Sequence, residues 1–261
     1  MQYRKAFSDI ASGTCMWRMW HHLAAQEVRQ RYRRSRLGPF WLTGTIAVQI
    51  LTMGWLVSAL FEQPVWRYLP YVAAGFVIWN YCLAVISEGA MSLISAAAIL
   101  TQAPRPISTI ILQVIWRNVI VAGHHVIFIV VLFLFMDVRV SVETLLVVPG
   151  FALLTLNLAW LSLLLAVLSV RFRDVPAIVQ NILTIFFWIT PILYLPEQLG
   201  DRRFITDANP LTHLIDVVRW PMLGEAPGSF SYLVVAILAC AGCALTFLFF
   251  ARVRRHIGYW L

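Results

Sequence analysis

Six apolar segments organise this chain, approximately Pro39–Phe61, Tyr68–Ser95, Ile107–Met136, Thr144–Val170, Pro176–Leu195 and Phe230–Ala251. A helix needs about 20 predominantly apolar residues to cross a hydrocarbon core about 30 Å thick. Segments of this length, repeated six times, leave too little polar chain for a water-facing globular surface. Composition agrees: 61% of residues are hydrophobic and 12% charged, against about 45–50% and about 25% in soluble domains. The implied fold class is an all-α membrane protein with six transmembrane helices. The fourth segment has 27 residues, about 40 Å of helix, and crosses with tilt. The fifth is shorter and is expected to break at Pro191. Arg117 and the pair His124-His125 interrupt the third.

Basic residues orient the spans, because Lys and Arg concentrate in cytoplasmic loops. With both termini cytoplasmic, the inner side collects Arg4, Lys5, Arg18, Arg29, Arg31, Arg33, Arg34 and Arg36, then Arg105, Arg171, Arg173, Arg252, Arg254 and Arg255. The outer side holds only Arg67, Arg139, Arg202, Arg203 and Arg219. Residues 1–37 then form a cytoplasmic basic segment, 38–254 the transmembrane domain and 255–261 a cytoplasmic tail. Residues 1–37 contain no continuous apolar core of the signal-peptide kind. Within them Met16, Trp17, Met19, Trp20, Leu23, Ala24 and Val28 share one helical face, opposite Arg18, His22, Gln26, Arg29 and Arg33. That pattern predicts an amphipathic helix in the membrane interface.

Lys5 is the chain's single lysine, among 20 basic residues. A Walker A motif needs a lysine after a glycine-rich loop, and Lys5 stands in Arg4-Lys5-Ala6. ATP and its Mg must therefore bind another chain, if they are used at all. Cys15, Cys82, Cys240 and Cys243 do not form a disulfide framework. The Cys240/Cys243 pair lies in an apolar run without a second ligand pair, so packing is favoured over metal binding. His124 and His125 point about 100° apart on a helix and cannot easily share a metal, so packing or cavity lining is favoured there also.

The densest polar feature is Arg29-Gln30-Arg31-Tyr32-Arg33-Arg34-Ser35-Arg36, ending at the first span. Such a cluster holds the N-terminus inside and binds anionic lipid. The guanidinium forks of Arg31, Arg33, Arg34 and Arg36 equally suit a substrate phosphate. Glu88 and Arg117 lie at similar depths on consecutive antiparallel spans, where charges are costly and usually paired. A structural ion pair is the favoured reading, with a gating or substrate role as the alternative. Aromatic residues gather at Phe40-Trp41, Trp79 with Tyr81, and Phe187-Trp188 with Tyr194. Interfacial belts explain many of these, but sugar-stacking surfaces are an alternative for Trp79 and Trp188.

Two loops carry further structure. Residues 95–106 hold a helix-forming stretch, including Ala97, Leu100 and Gln102, closed by Pro104-Arg105-Pro106. This stiff inner loop suits docking to a partner. In the long outer loop, Asn209-Pro210 reads as an N-cap followed by a first-turn proline. Leu211, Leu214, Ile215 and Val218 then recur at helical spacing, with Asp216 and Arg219 between them.

In that order the chain also presents Arg31-Tyr32-Arg33-Arg34-Ser35-Arg36-Leu37-Gly38-Pro39-Phe40-Trp41, Tyr68-Leu69-Pro70-Tyr71, Trp116-Arg117-Asn118 and Arg171-Phe172-Arg173-Asp174-Val175-Pro176. Thr190-Pro191-Ile192-Leu193-Tyr194, Asn209-Pro210-Leu211-Thr212-His213-Leu214-Ile215-Asp216 and the terminal Arg254-Arg255-His256-Ile257-Gly258-Tyr259-Trp260-Leu261 follow. The ordered set resembles the membrane subunit of ABC-2-type exporters of polyprenyl-linked polysaccharide, the O-antigen and capsule permeases. The resemblance implies a bacterial inner-membrane homodimer, paired with two copies of a separate nucleotide-binding ATPase, with no cofactor in this chain and no activity of its own as an enzyme. It implies diphosphate binding by the arginine cluster, ATPase coupling through 95–106, and short re-entrant outer gate helices in 196–228. Aromatics would line the sugar channel, and the partners would be lipids and a lipid-linked polysaccharide, not nucleic acid. Export of O-antigen is the preferred expectation, with capsule or teichoic acid as alternatives of the same class. An intramembrane glycan-lipid enzyme would need clustered acids or histidines. A proton-coupled transporter usually shows repeats and several intramembrane acids. Neither pattern is present.

Overall fold

A computed structural model describes residues 2–33, 40–103, 105–136, 138 and 140–261, leaving aside the side chains of Tyr32, Phe40, Leu42 and Arg67. Arg34, Arg36, Pro104 and the side chain of Phe40, all singled out above, therefore lie outside the described residues. Among the described residues all regular structure is helical. The order is α1 (Gln2–Cys15), α2 (Trp17–Tyr32), α3 (Phe40–Leu60), α4 (Val65–Ser95), α5 (Ala97–Gln102) and α6 (Ile107–Phe135), then α7 (Val147–Arg171), α8 (Val175–Ile189), α9 (Phe204–Asp207), α10 (Pro210–Met222) and α11 (Ser229–Trp260). Short 3-10 segments precede α7 and α9.

Among the described residues five helices are long and apolar enough to cross a membrane: α3, α4, α6, α11, and α7 with its leading 3-10 turn. The helix of the fifth apolar segment, α8, has 15 residues. It stops before Thr190-Pro191, where the sequence predicts a break, because proline cannot donate to the preceding turn. α4 is the axis of the bundle, with 78% of its apolar window buried against 28–33% for the other four. Small residues make this possible, since helices in lipid associate by close packing more than by hydrophobic contrast. A Cβ placed on Gly89 of α4 would sit 2.5 Å from the Ser162 hydroxyl of α7.

Polar side chains in the bundle bond across or along helices, as hydrocarbon surroundings demand. Asn157 Nδ2 donates to Val235 O at 3.2 Å, joining α7 to α11, and Trp160 Nε1 donates to Asn157 Oδ1 at 3.1 Å. Ser162 donates to Val85 O at 3.2 Å. His124 Nδ1 lies 2.7 Å from Ile120 O on its own helix, while His125 is buried beside Thr43 of α3.

Both chain termini lie at one end of the bundle. Asp9 of α1 bonds Arg254 near the end of α11, and the Arg171 guanidinium lies 5.3 Å over the Trp260 ring. The same end holds α5 and the start of α6. The opposite end holds the segments 190–228 and 141–146, joined by the Ser141 hydroxyl donating to Gly224 O at 2.7 Å.

Candidate functional site

At the end that holds the termini, a charged cluster joins three helices. Arg117 of α6 reaches Glu88 of α4 through Nη2 at 2.7 Å and Nε at 3.2 Å, and its Nη1 pairs with Glu27 of α2. Asn118 Nδ2 donates to Glu88 Oε2 at 2.7 Å, and Arg31 Nη2 approaches Glu88 Oε1 at 3.3 Å. Gln113 Nε2 donates to Glu27 Oε1 at 2.5 Å. Sequence reasoning singled out Glu88, Arg117 and Arg31 but missed Glu27. The signal was present: Trp20, Ala24, Glu27, Val28 and Arg31 share a helical stripe, so Glu27 faces the protein with its apolar neighbours. The remaining polar face of α2, from Arg18 to Arg33, is exposed, as are Met16 and Trp17.

Asp9 was also missed. Ala6, Asp9 and Gly13 form the buried stripe of α1. Asp9 Oδ1 accepts from Ser108 N and from the Ser108 hydroxyl, both at 3.1 Å, and Oδ2 accepts from Ile107 N at 3.3 Å. These amides open α6 and have no partners within that helix, so Asp9 caps it from another helix. Arg254 of α11 neutralises the carboxylate, with Nη2 at 2.7 Å and Nε at 3.0 Å. Asp9 thus fastens the start of α6 to both ends of the chain. Just before this junction, α5 has no buried residue, and its Ile99 is 52% exposed. Leu100 packs on the bundle, whereas Gln102 is exposed.

The opposite end is organised around the break after α8. Pro191 O accepts from Tyr71 Oη at 3.0 Å and from Arg219 Nη1 at 2.5 Å. Tyr68 Oη donates to Leu193 O. Arg219 of α10 is fully buried, pairs with Asp216, and lies 4.1 Å over the Tyr71 ring. Asn209 caps α10 by accepting from Leu211 N at 3.0 Å, and its Nδ2 donates to Thr190 Oγ1 at 2.8 Å. Pro210 opens the helix at N1, and Leu214 is buried beneath it. His213 spans α10 and α11: a carbonyl can only accept, so Nε2 donates to Asp207 O while Nδ1 accepts from the Ser231 hydroxyl, each at 2.9 Å.

The aromatic candidates divide. Trp79 and Tyr81 are buried inside the bundle, Trp79 against Phe187 at 5.8 Å and Tyr81 on Thr155 at 3.0 Å. Tyr194 is half-buried and donates to Ile189 O at 2.6 Å. Trp41 and Trp188 stand on the surface of the chain, 62% and 67% exposed. Each belongs to an exposed face that mixes polar and aromatic residues. On α3 the face runs Trp41, Thr45, Gln49, Thr52; on α8 it runs Ala177, Asn181, Thr184, Trp188. Both follow helical spacing of three or four residues. α8 has a single fully buried residue, Leu183. Amides such as Gln49 and Asn181 are costly against lipid tails, so these faces suit a wet path or a partner helix.

Such a bundle, with Glu88 and Arg117 paired between helices and two polar faces open outward, is that of a multi-pass membrane protein. The ABC-2 type transporter family profile matches residues 19–223, and the chain belongs to that family. An O-antigen export system permease protein, RfbA, of Klebsiella pneumoniae is 24% identical over 227 residues, which are 85% of each chain. One of the same name from Myxococcus xanthus is 26% identical over 210 residues, 74% of this chain and 75% of the relative.

Proposed function

We propose that the chain is the inner-membrane permease subunit of an ABC transporter that exports a polyprenyl-diphosphate-linked polysaccharide, O-antigen in particular. The observation that carries this reading is the likeness to O-antigen export permeases across 85% of both chains. The exposed polar-aromatic faces of α3 and α8 support it, because glycans are bound by aromatic stacking together with hydroxyl and amide hydrogen bonds. Two copies of the chain would bring these faces together around one conduit, with α8 as the sixth span and the end that holds both termini in the cytoplasm. Trp41 and Trp188 are then stacking surfaces, and the sequence gives Phe40 the same proposed role. Trp79, Tyr81, Phe187 and Tyr194 shape the wall from behind.

The polyprenyl diphosphate is received at the cytoplasmic end by Arg31, Arg33, Arg34 and Arg36. A separate ATPase, two copies per dimer, docks on α5 and the adjoining Arg105–Pro106 linker, where exposed Ile99 offers an apolar contact on a polar surface. The α10 segment, held by Asn209, Asp216 and Arg219, gates the outer exit. Deleting the gene should leave lipid-linked glycan on the cytoplasmic side and remove it from the cell surface. Normal surface glycans in that strain would refute the proposal. Collapsing the proton gradient while ATP is maintained should leave export running.

A further inference from the structure

Beside the charged cluster lies a cavity of about 340 Å³ between α2, α4, α5 and the first turns of α6. This volume is within the range of about 300–1,000 Å³ that small-ligand sites occupy. The charged and amide residues of its lining are Glu27, Arg31, Glu88, Arg105, Gln113 and Arg117. The carboxylates are fully engaged: Glu88 by Arg117, Asn118 and Arg31, and Glu27 by Arg117 and Gln113. Three guanidinium groups face two carboxylates, so one positive charge is left over. That charge is Arg105. It forms no ion pair among the described residues, and its Nε is buried without a hydrogen-bond partner.

Burial lowers the Arg105 pKa and the Glu27 carboxylate raises it again in part, and a guanidinium stays charged throughout the physiological range. An occluded N–H without an acceptor is costly, and an anionic acceptor meets it best when the donor belongs to a cation. Gln113 adds a second unmet demand of opposite kind. Its Oε1 is buried without a donor, while its Nε2 is fixed on Glu27. Both residues line the cavity, so a ligand that turns either side chain by one rotamer would meet a cation and a hydrogen-bond acceptor.

We infer that this cavity binds a phosphate ester that also carries a hydroxyl, the phosphate oxygen bonding Arg105 and the hydroxyl donating to Gln113. Two sources share this chemistry: the sugar-diphosphate end of a lipid-linked glycan, and the headgroup of a hydroxyl-bearing phospholipid such as phosphatidylglycerol. The first source rests on the export function proposed above. Arg105 belongs to the linker between α5 and α6, so a ligand here touches part of the proposed ATPase contact itself. Occupancy is thereby sensed where nucleotide hydrolysis is coupled.

The test uses the permease–ATPase complex in nanodiscs of phosphatidylcholine. Undecaprenyl diphosphate bearing one sugar, or phosphatidylglycerol, is titrated, and retained lipid is read by native mass spectrometry. Arg105→Gln should weaken retention about tenfold, the scale of one charge-assisted hydrogen bond. Weakening confined to the sugar-diphosphate lipid assigns the site to substrate, and weakening confined to phosphatidylglycerol assigns it to the membrane. Equal retention by Arg105→Gln and wild type overturns the inference while leaving the export function intact. A wild-type complex that retains neither lipid overturns it also, and if cells carrying that complex export no glycan, the proposed function falls separately. Should Arg105→Gln fail to assemble, a photo-crosslinking residue in place of Met91, which lines the cavity, should capture the labelled probe. No capture overturns the inference.

Discussion

Asp9 offers the sharpest test of how the two ends of the chain are tied to the bundle. Replacing it with alanine removes the cap of α6 and the counter-ion of Arg254 together. Loss of an N-cap acceptor costs about 1 kcal/mol. Stranding the cation of a buried pair costs about 3–5 kcal/mol. The Arg254 side chain keeps 34% of its surface exposed, while the Asp9 side chain keeps none. Rehydration of the arginine therefore reduces the second contribution to about 2 kcal/mol. The sum, about 3 kcal/mol, is roughly a hundredfold change in the ratio of folded to unfolded protein. Unfolding by sodium dodecyl sulfate in mixed micelles, followed by the fluorescence of the 11 tryptophans, measures it. Asp9→Asn keeps an acceptor for Ser108 and should lose less than Asp9→Ala. In a double-mutant cycle, Asp9→Ala with Arg254→Ala should show a coupling of about 1–3 kcal/mol. Additive single effects, or a loss below about 0.5 kcal/mol for Asp9→Ala, would refute the cap-and-clasp argument.

Arg117→Gln takes from Glu27 its cation and leaves Glu88 only Arg31 and Asn118. It should destabilise by about 2 kcal/mol in the same unfolding assay, whereas adding Glu88→Gln should restore part of that; no restoration refutes the pairing. Gly150→Ala places a Cβ 2.1 Å from Val217 O, a backbone atom that cannot rotate away, and should cost about 1–3 kcal/mol. Gly44→Ala meets nothing within 4 Å and should match wild type, so equal losses for the two would contradict the close approach of α7 and α10. Arg219→Lys keeps the charge but loses the fork that reaches Asp216 and Pro191 O together. It should speed protease cleavage within 190–228 severalfold at unchanged helical circular dichroism, and unchanged cleavage would show that Arg219 does not hold the segment.

The five long helices, the break before Pro191 and the start of α10 at Asn209-Pro210 were legible because length, proline and capping chemistry act locally, whereas the fifth of the six expected spans is a helix of only 15 residues. The depth match of Glu88 and Arg117 was legible because consecutive antiparallel helices fix relative height. Asp9 and Glu27 were not found, because counting charges by loop treats an isolated acid as a small offset to the arginines around it. Their positions on the buried stripes of α1 and α2 carried the information. The burial of Trp79 and Tyr81 could not be read at all. Helices in a membrane are apolar on every side, so periodicity does not separate a lipid-facing face from one packed on neighbours. By contrast, Thr45, Gln49 and Thr52 at i, i+4 and i+7 within an apolar run were a readable sign of a face turned away from lipid.

The position of α4 explains how one chain can relate its two ends. Glu88, near its C-terminus, holds the charged cluster with Arg117 and Arg31, and Ala96 alone separates the helix from α5. Tyr68 and Tyr71, near its N-terminus, hold the carbonyls of Leu193 and Pro191 beyond the break in α8. The 17 residues from Tyr71 to Glu88 span about 26 Å of helix. That length lies within one continuous helix, and Pro70, its internal proline, falls outside the stretch. A straight helix packed on its neighbours over most of its surface does not absorb a displacement by bending, because kinks need a proline, a bulge or an inserted group. Motion imposed on α5 would then either move α4 as a body or be taken up by a swing at the non-helical Ala96 junction. In the first case the carbonyl contacts at Pro191 and Leu193 shift with it, so the break in α8 lies where a rigid α4 delivers movement to the segment carrying Arg219.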